Sequence, residues 1–389
     1  MASSTSLPPY WRLSGFYFFY FASLGAMIPY WGLYLKDLGF TAADIGSLMA
    51  IIMATKIISP NIWGWIADHT GKRMAIVRIG SLLAVMAFVG VFYTTNFWWL
   101  ALVMLLFSFF WNAALPQFEA TTFHHLGRNT HRYSSIRLWG SIGFVIAVWG
   151  LGELLQLTGM SSLPMILLIL YSGIWLMSLT VPEEAAGHLN LDHEPLIKVL
   201  MKPAVAGLLL ACFFMQASHG PYYTFYSIYM ESYGYSLFTI GAMWALGVIA
   251  EVIIFLFMHR LVPKFGLKNL LLYSLLLASL RWLLIGYFPE NFVMLAIGQL
   301  LHAATFGVYH AAAIQLIHQH FKGRHQGKGQ ALYSSLSFGA GGALGSLLSG
   351  YAWDSLGAQF TFITAASLSL IAAIITYHYV SPDNSKAKS

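Results

Sequence analysis

Charge is what this chain has least of. Asp, Glu, Lys and Arg make up 9% of its 389 residues, against roughly 25% in an ordinary soluble domain. Hydrophobic residues make up 58% and the mean hydropathy is +0.68, so a water-soluble fold would lack the polar exterior it needs. Cysteine is nearly absent too, and a lone Cys212 excludes an internal disulfide. The stretch MASSTSLPPYWR has neither a charged n-region nor a small-residue cleavage site, so the first apolar segment is expected to stay as a helix and not to be a signal peptide. No H-E-x-x-H or P-loop occurs, and the short termini are not expected to hold a signalling domain, which argues against a membrane enzyme or receptor.

What is present is long apolar runs. A helix needs about 20 predominantly apolar residues to cross a bilayer core, and twelve segments qualify: 10–35, 42–67, 73–93, 97–124, 134–158, 162–181, 203–231, 236–260, 266–288, 291–318, 326–352 and 358–379. Basic residues fall almost wholly into one alternate set of connections, among them Lys72, Arg73, Arg128, Arg132, Lys198, Lys202, Lys264, Lys268, Lys322 and Arg324, while the other set holds only Lys36. By the positive-inside rule both termini and the basic set face the cytoplasm. The expected location is therefore a bacterial inner membrane, and the formal charge of +6 calls for no nucleic-acid partner. The expected partners are the lipid bilayer and a small-molecule substrate, with the protein a monomer.

The longest polar connection, VPEEAAGHLNLDHEPLIKVLMK (181 to 202), divides the spans into two sets of six. This predicts an all-α membrane protein with an N-terminal bundle over 1–181, a cytoplasmic linker over 182–202 and a C-terminal bundle over 203–389, the parallel-repeat layout of a large transporter class. A weak internal echo agrees: DHTGKRMAI and PKFGLKNLL both place a glycine and a basic residue in a tight turn, with Gly71 and Gly266 lying 195 positions apart.

The first of those turns is more specific. GWIADHTGKR (64 to 73) reads G-x-x-x-D-x-x-G-[RK]-[RK]. Gly64 permits close helix packing, Asp68 at the membrane edge can pair with a basic neighbour, Gly71 makes the turn, and Lys72 and Arg73 complete it. GAGGALGSLLSG (339 to 350) offers a small face on which backbones can approach closely. The pattern resembles the loop signature of the major facilitator superfamily, which implies a gating role for these five residues and transport by alternating access.

Five ionisable groups sit inside predicted spans: Lys56, Glu119, Arg137, Glu251 and Arg281. Each is costly in a bilayer unless it faces a cavity or a partner. Glu119 and Arg137 are 18 positions apart about a midpoint at Arg128, and Glu251 and Arg281 are 30 apart about Gly266. Residues equidistant from a hairpin turn lie at similar depth, so each half offers one acid and one base on adjacent helices. These pairs are either static helix glue or a rearranging site, and their repetition favours the second. Lys56 has no equidistant acid; it is expected to hold a substrate carboxylate, or else to snorkel or to pair with Glu119. In LLHAATFGVYH (300 to 310), His302, Thr305 or Phe306, Tyr309 and His310 fall near one helical face. QASHGPYYTFY (216 to 226) puts His219 and Tyr223 beside a helix break at Gly220-Pro221.

NAALPQFEA, IRLWGSIGF, SLRW and the LLH of span ten are similar in order and spacing to the lactose permease family of sugar/proton symporters. That resemblance implies substrate binding by Glu119 and Arg137 and proton coupling by Glu119, Glu251, Arg281 and His302. It has two departures: Thr305 stands where that family has a coupling carboxylate, and Phe144 where it has a sugar-stacking tryptophan. AEVIIF (250 to 255), RLWGS (137 to 141) and LHAATFGVYHAA resemble the 3-phenylpropionate permease branch, which also carries a basic residue at the position of Lys56. The implied function is proton-coupled import of a small aromatic carboxylate, an organic anion, with substrate contacts at Lys56, Glu119, Arg137, Phe144, His219 and Tyr223. Trp31 and Phe306 are further candidates for ring contact. No cofactor is expected beyond the proton gradient. Import of a nucleoside or oligosaccharide, and export of a drug or metabolite, are the alternatives.

Overall fold

A chain this apolar can satisfy its backbone inside lipid only by bonding within each segment, which selects helices. The computed structural model describes residues 9–127, 129–183, 196–321 and 325–380, and these are helical with no strand among them. The helices are α1 Tyr10–Asp37, α2 Ala42–Thr70, α3 Arg73–Phe88, α4 Phe97–Leu126, α5 Tyr133–Thr158, α6 Leu163–Thr180, α7 Leu196–Leu200, α8 Pro203–Ser218, α9 Gly220–Ser232, α10 Leu237–Phe265, α11 Leu267–Tyr287, α12 Phe292–Leu300, α13 Tyr309–His320, α14 His325–Ser334 and α15 Gly342–Tyr379. Two π-helical stretches, Ala303–Val308 and Ser335–Gly341, join α12 to α13 and α14 to α15.

Among the described residues eleven helical stretches are long and apolar enough to cross a membrane. The last of them, Gly327–Tyr379, has 53 residues, about 80 Å at 1.5 Å per residue and far more than one bilayer needs. It breaks at Gly357, whose φ of 88° and ψ of 163° are non-helical, so it counts as two spans and the total is twelve. The break expected at Gly220-Pro221 separates α8 from α9. The expected linker 182–202 falls mostly on 184–195, which lie outside the described residues, as does Arg128.

Three helix starts are capped by a side chain of the residue before them. Asn96 accepts from the amides of Trp98 and Trp99, Asn291 from those of Val293 and Met294, and Ser236 from that of Thr239, which satisfies amides that lack intrahelical partners. Large apolar side chains remain outward, including Trp65, Met86, Leu157, Ile169 and Leu256. On a soluble protein such a surface would drive aggregation; in a bilayer it meets lipid.

Contacts gather the chain into two compact units, Met1–Trp31 with Ile58–Asn190, and Gly32–Ile57 with Leu191–Ser389. In the first, α3 packs on α4 and α6, and the core is aromatic: Phe16 stacks on Phe118 at 3.6 Å and Tyr20 on Trp111 at 5.0 Å. Trp31 is wholly buried against Phe88 and lines no open surface, contrary to its expected ring-contact role. In the second unit α15 packs on α8, α9 and α11. The small face works as expected there: a Cβ on Gly345 would strike the backbone of Ala217, and one on Gly220 the backbone of Gly345. The half of α2 that belongs to this unit meets the same face, since a Cβ on Gly46 would stand 2.7 Å from Gly350 Cα and from Ser346 O. At the nearby end Lys36 pairs with Glu231 at 2.7 Å, and the amide of Ala42 donates to Asp354 at 3.0 Å.

Candidate transport site

In the second unit the polar centre is built on Arg281, which α11 presents with no exposed surface. Its Nε donates to Gly298 O at 2.8 Å, Nη1 lies 3.0 Å from His302 Nδ1 and donates to Thr305 Oγ1 at 3.0 Å, and Nη2 donates to Gln299 Oε1 at 3.4 Å. The guanidinium also lies over the rings of Tyr222 and Trp282, at 4.2 and 4.7 Å from their centroids. Tyr222 donates to the same Gln299 oxygen at 2.9 Å. A buried cation tolerates such a place because neutral acceptors and aromatic faces replace its water.

His302 stands between Arg281 and Glu251, with Nε2 at 3.4 Å from Glu251 Oε2. Arginine only donates, so Nδ1 is the acceptor and the proton of the neutral ring is on Nε2, facing the carboxylate. Glu251 and Arg281 meet at one place, as their matched depth implies, and His302 bridges them. Thr305, where a coupling carboxylate stands in the resembled family, is an acceptor for Arg281.

His219 is fully buried beside this cluster, its Nδ1 at 2.9 Å from Met215 O and its ring edge-on to Trp282 at 4.8 Å. The carbonyl can only accept, so Nδ1 carries the hydrogen, and Nε2 has no hydrogen-bond partner among the described residues. Tyr223, half-buried, stacks on His219 and on Trp244. Two buried donors, Gln216 Nε2 and Gln299 Nε2, also lack partners among the described residues. Lys56 belongs to the same unit, half-buried on α2, and its ammonium makes no hydrogen bond or ion pair among the described residues.

In the first unit Glu119 accepts from the Tyr133 hydroxyl at 3.3 Å. Arg137 lies over Phe21 at 3.7 Å and Tyr17 at 5.7 Å. Glu119 and Arg137 attract each other electrostatically, as their matched depth implies, without a direct ion-pair contact: Arg137 lies on the aromatic rings of α1 and Glu119 takes the phenol. Phe144 is 9% exposed, and its backbone lies against Gly25. Phe21 and Tyr133 carry no charge to mark them in the sequence.

The turn between α2 and α3 forms a local lock. Asp68 pairs with Arg73 at 2.8 Å, and Arg73 also donates to Gln117 at 2.8 Å. Gly71 has a φ of 68°, a conformation that favours glycine. Gly64 departs from expectation: a Cβ there would meet only Gln117, at 3.8 Å, an ordinary contact, so close packing does not require glycine. Lys72 is exposed and its side chain makes no bond among the described residues. Glu183, overlooked in the sequence, caps α3 by accepting from the amides of Met74 and Ala75, both at 2.9 Å.

The sequence model described as "MFS_1 like family" matches residues 10–364. The chain belongs to the major facilitator superfamily. It is 30% identical over 353 residues to the "Probable 3-phenylpropionic acid transporter" of Escherichia coli (strain K12), covering 88% of this chain and 90% of that one. It is 25% identical over 372 residues to a maltose permease of Geobacillus stearothermophilus, covering 91% and 90%. Among solved structures, a mutant of the nucleoside transporter NupG superposes with a TM-score of 0.85 at 18% identity, over 96% of this chain and 100% of that one. This last likeness concerns the fold. The protein is a multi-pass membrane transporter of the major facilitator superfamily, and the twelve-helix architecture expected from the sequence is that of the family.

Proposed function

We propose that this transporter is a proton-coupled symporter that imports a small aromatic carboxylate such as 3-phenylpropionate by alternating access, from an inner membrane with both termini in the cytoplasm. The observation that carries the reading is the contrast between two cations of the second unit. Arg281 is occupied by four protein acceptors, whereas Lys56 has none among the described residues. A carboxylate is the ligand that completes Lys56, through a charge-assisted hydrogen bond. Rings such as Tyr223 and Phe306 supply apolar contact for the rest of the substrate.

Charge balance in a low-dielectric site supplies the coupling. Glu251 offsets Arg281 through His302. A proton on Glu251 leaves the unit one charge more positive, and an incoming anion restores the balance, so each ligand lowers the cost of binding the other. Glu119, with its phenol donor, is a second place for the proton. The thirty-per-cent relative named for 3-phenylpropionic acid supports the substrate class.

A neutral, hydroxyl-rich solute is the second reading, favoured by the partnerless amide donors of Gln216 and Gln299. Uptake of radiolabelled 3-phenylpropionate into proteoliposomes separates the two. Uptake that rises with an inward proton gradient and is lost in Lys56→Ala supports the carboxylate. Competition by nucleosides or oligosaccharides, with none by 3-phenylpropionate, replaces it with the neutral solute.

A further inference from the structure

His302 and His310 occupy the same span but face opposite chemical constraints. His310 Nδ1 is 3.0 Å from the Tyr333 hydroxyl on α14, and its ring stacks on Phe306 with 8° between planes and 5.9 Å between centroids. The other face of Phe306 stacks on His302, at 7° and 5.3 Å. The three rings thus form one column. A regular α-helix turns about 400° over four residues, so two such steps would carry the third ring about 80° out of line. The wider turns of the π-helical stretch Ala303–Val308 take back much of that advance.

The column separates two protonation behaviours. At His302 the acceptor nitrogen is held by a guanidinium, so a second ring proton breaks that bond and sets cation against cation. At His310 the partner is a phenol, which donates to a neutral ring and accepts from a protonated one, so the contact survives either state. The face of Phe306 favours the imidazolium, and Phe338 stands edge-on at 5.8 Å. Of the titratable and charged groups on elements packed against α13, Tyr333 touches the ring. Cys212 of α8 lies behind Tyr309, Arg281 of α11 is occupied as described, Lys268 of α11 donates to Tyr377 O, and Tyr273 of α11 and Lys328 of α14 are exposed.

We infer that His310, with Tyr333, is the histidine of this span that carries the coupled proton, on its way between Glu251 and the His320 end of α13. The proton leaves the Glu251 carboxyl group, is passed by water to the His310 imidazole to give an imidazolium, and is lost from there to solvent at that end. His302 remains neutral and positions Arg281. This rests on the proton-coupled reading above and adds the residue that relays the proton.

His310→Gln tests it, because glutamine can both donate to and accept from Tyr333 yet takes no proton. The expected result is substrate counterflow, which needs no net proton movement, within about twofold of wild type, with gradient-driven accumulation down at least about tenfold. In histidine-selective ¹⁵N spectra of the full chain, the pH-responsive ring signal assigned to His310 disappears in the variant. Undiminished accumulation by His310→Gln, with wild type driven by the gradient, overturns the relay alone. Wild-type uptake indifferent to the gradient overturns the coupling reading and the relay together. No titrating ring assigned to His310 also overturns the relay.

Discussion

Arg281 Nη1 lies 3.0 Å from His302 Nδ1, and this one contact sets the protonation state of the ring and the direction in which its remaining hydrogen points. Lysine cannot reproduce the fork that reaches Gly298, His302, Thr305 and Gln299 at once. Arg281→Lys is therefore expected to lower gradient-driven uptake at least about tenfold while the protein stays in the membrane. Uptake normalised to membrane-inserted protein measures this, and near-normal rates would show that charge alone suffices.

Glu251→Gln keeps an acceptor for the His302 Nε2–H but cannot take a proton. Counterflow is expected to persist and accumulation against a gradient to vanish, as read by parallel assays on the same vesicles. Loss of both activities would mean that the carboxylate charge is needed to hold the site together, not to carry a proton.

Lys56→Ala removes a cation with no protein partner among the described residues, so protein stability is expected to change little while carboxylate affinity falls. A charge-assisted hydrogen bond is worth about 1.5–3 kcal/mol, which corresponds to a KM roughly 10- to 150-fold higher. The amide of the same acid, uncharged, should be transported alike by wild type and variant. An unchanged KM for the acid would remove Lys56 from the substrate site.

Two changes in the segment Gly32–Ile57 should differ sharply in cost. Gly46→Val must displace the backbones of Ser346 and Gly350, which are 2.7 Å from its Cβ, and is expected to destabilise by about 1–3 kcal/mol. Lys36→Ala breaks a pair whose side chains are 44% and 40% exposed, worth about 0–1 kcal/mol. Thermal unfolding in detergent compares them, and a larger loss for Lys36→Ala would reverse the ranking argued from packing.

Glu183→Ala removes the acceptor shared by the Met74 and Ala75 amides at the start of α3. An expected loss of about 0.5–2 kcal/mol follows from the cost of an uncapped helix start. Melting temperature in detergent reads it, with Glu183→Gln, which keeps an oxygen acceptor, expected to lie between the two.

The sequence by itself determined the elements that depend on local composition. Apolar run length placed the spans to within a few residues, from Tyr10–Asp37 at one end to the break at Gly357 at the other, because in lipid every segment must satisfy its own backbone. The spacing of charges about hairpin turns also brought Glu251 and Arg281 to one place, since both helices of a hairpin rise equally per residue. The tertiary structure alone decided who bonds whom. It inserted His302 between that acid and base, gave Arg281 to Thr305 and Gln299, and turned Arg137 onto Phe21 instead of Glu119. It also assigned Gly32–Ile57 to the second unit and aligned His302, Phe306 and His310 through a π-helical stretch. Those outcomes depend on rotation about each helix axis and on neutral partners such as tyrosine, glutamine and backbone carbonyls, which depth and charge leave open.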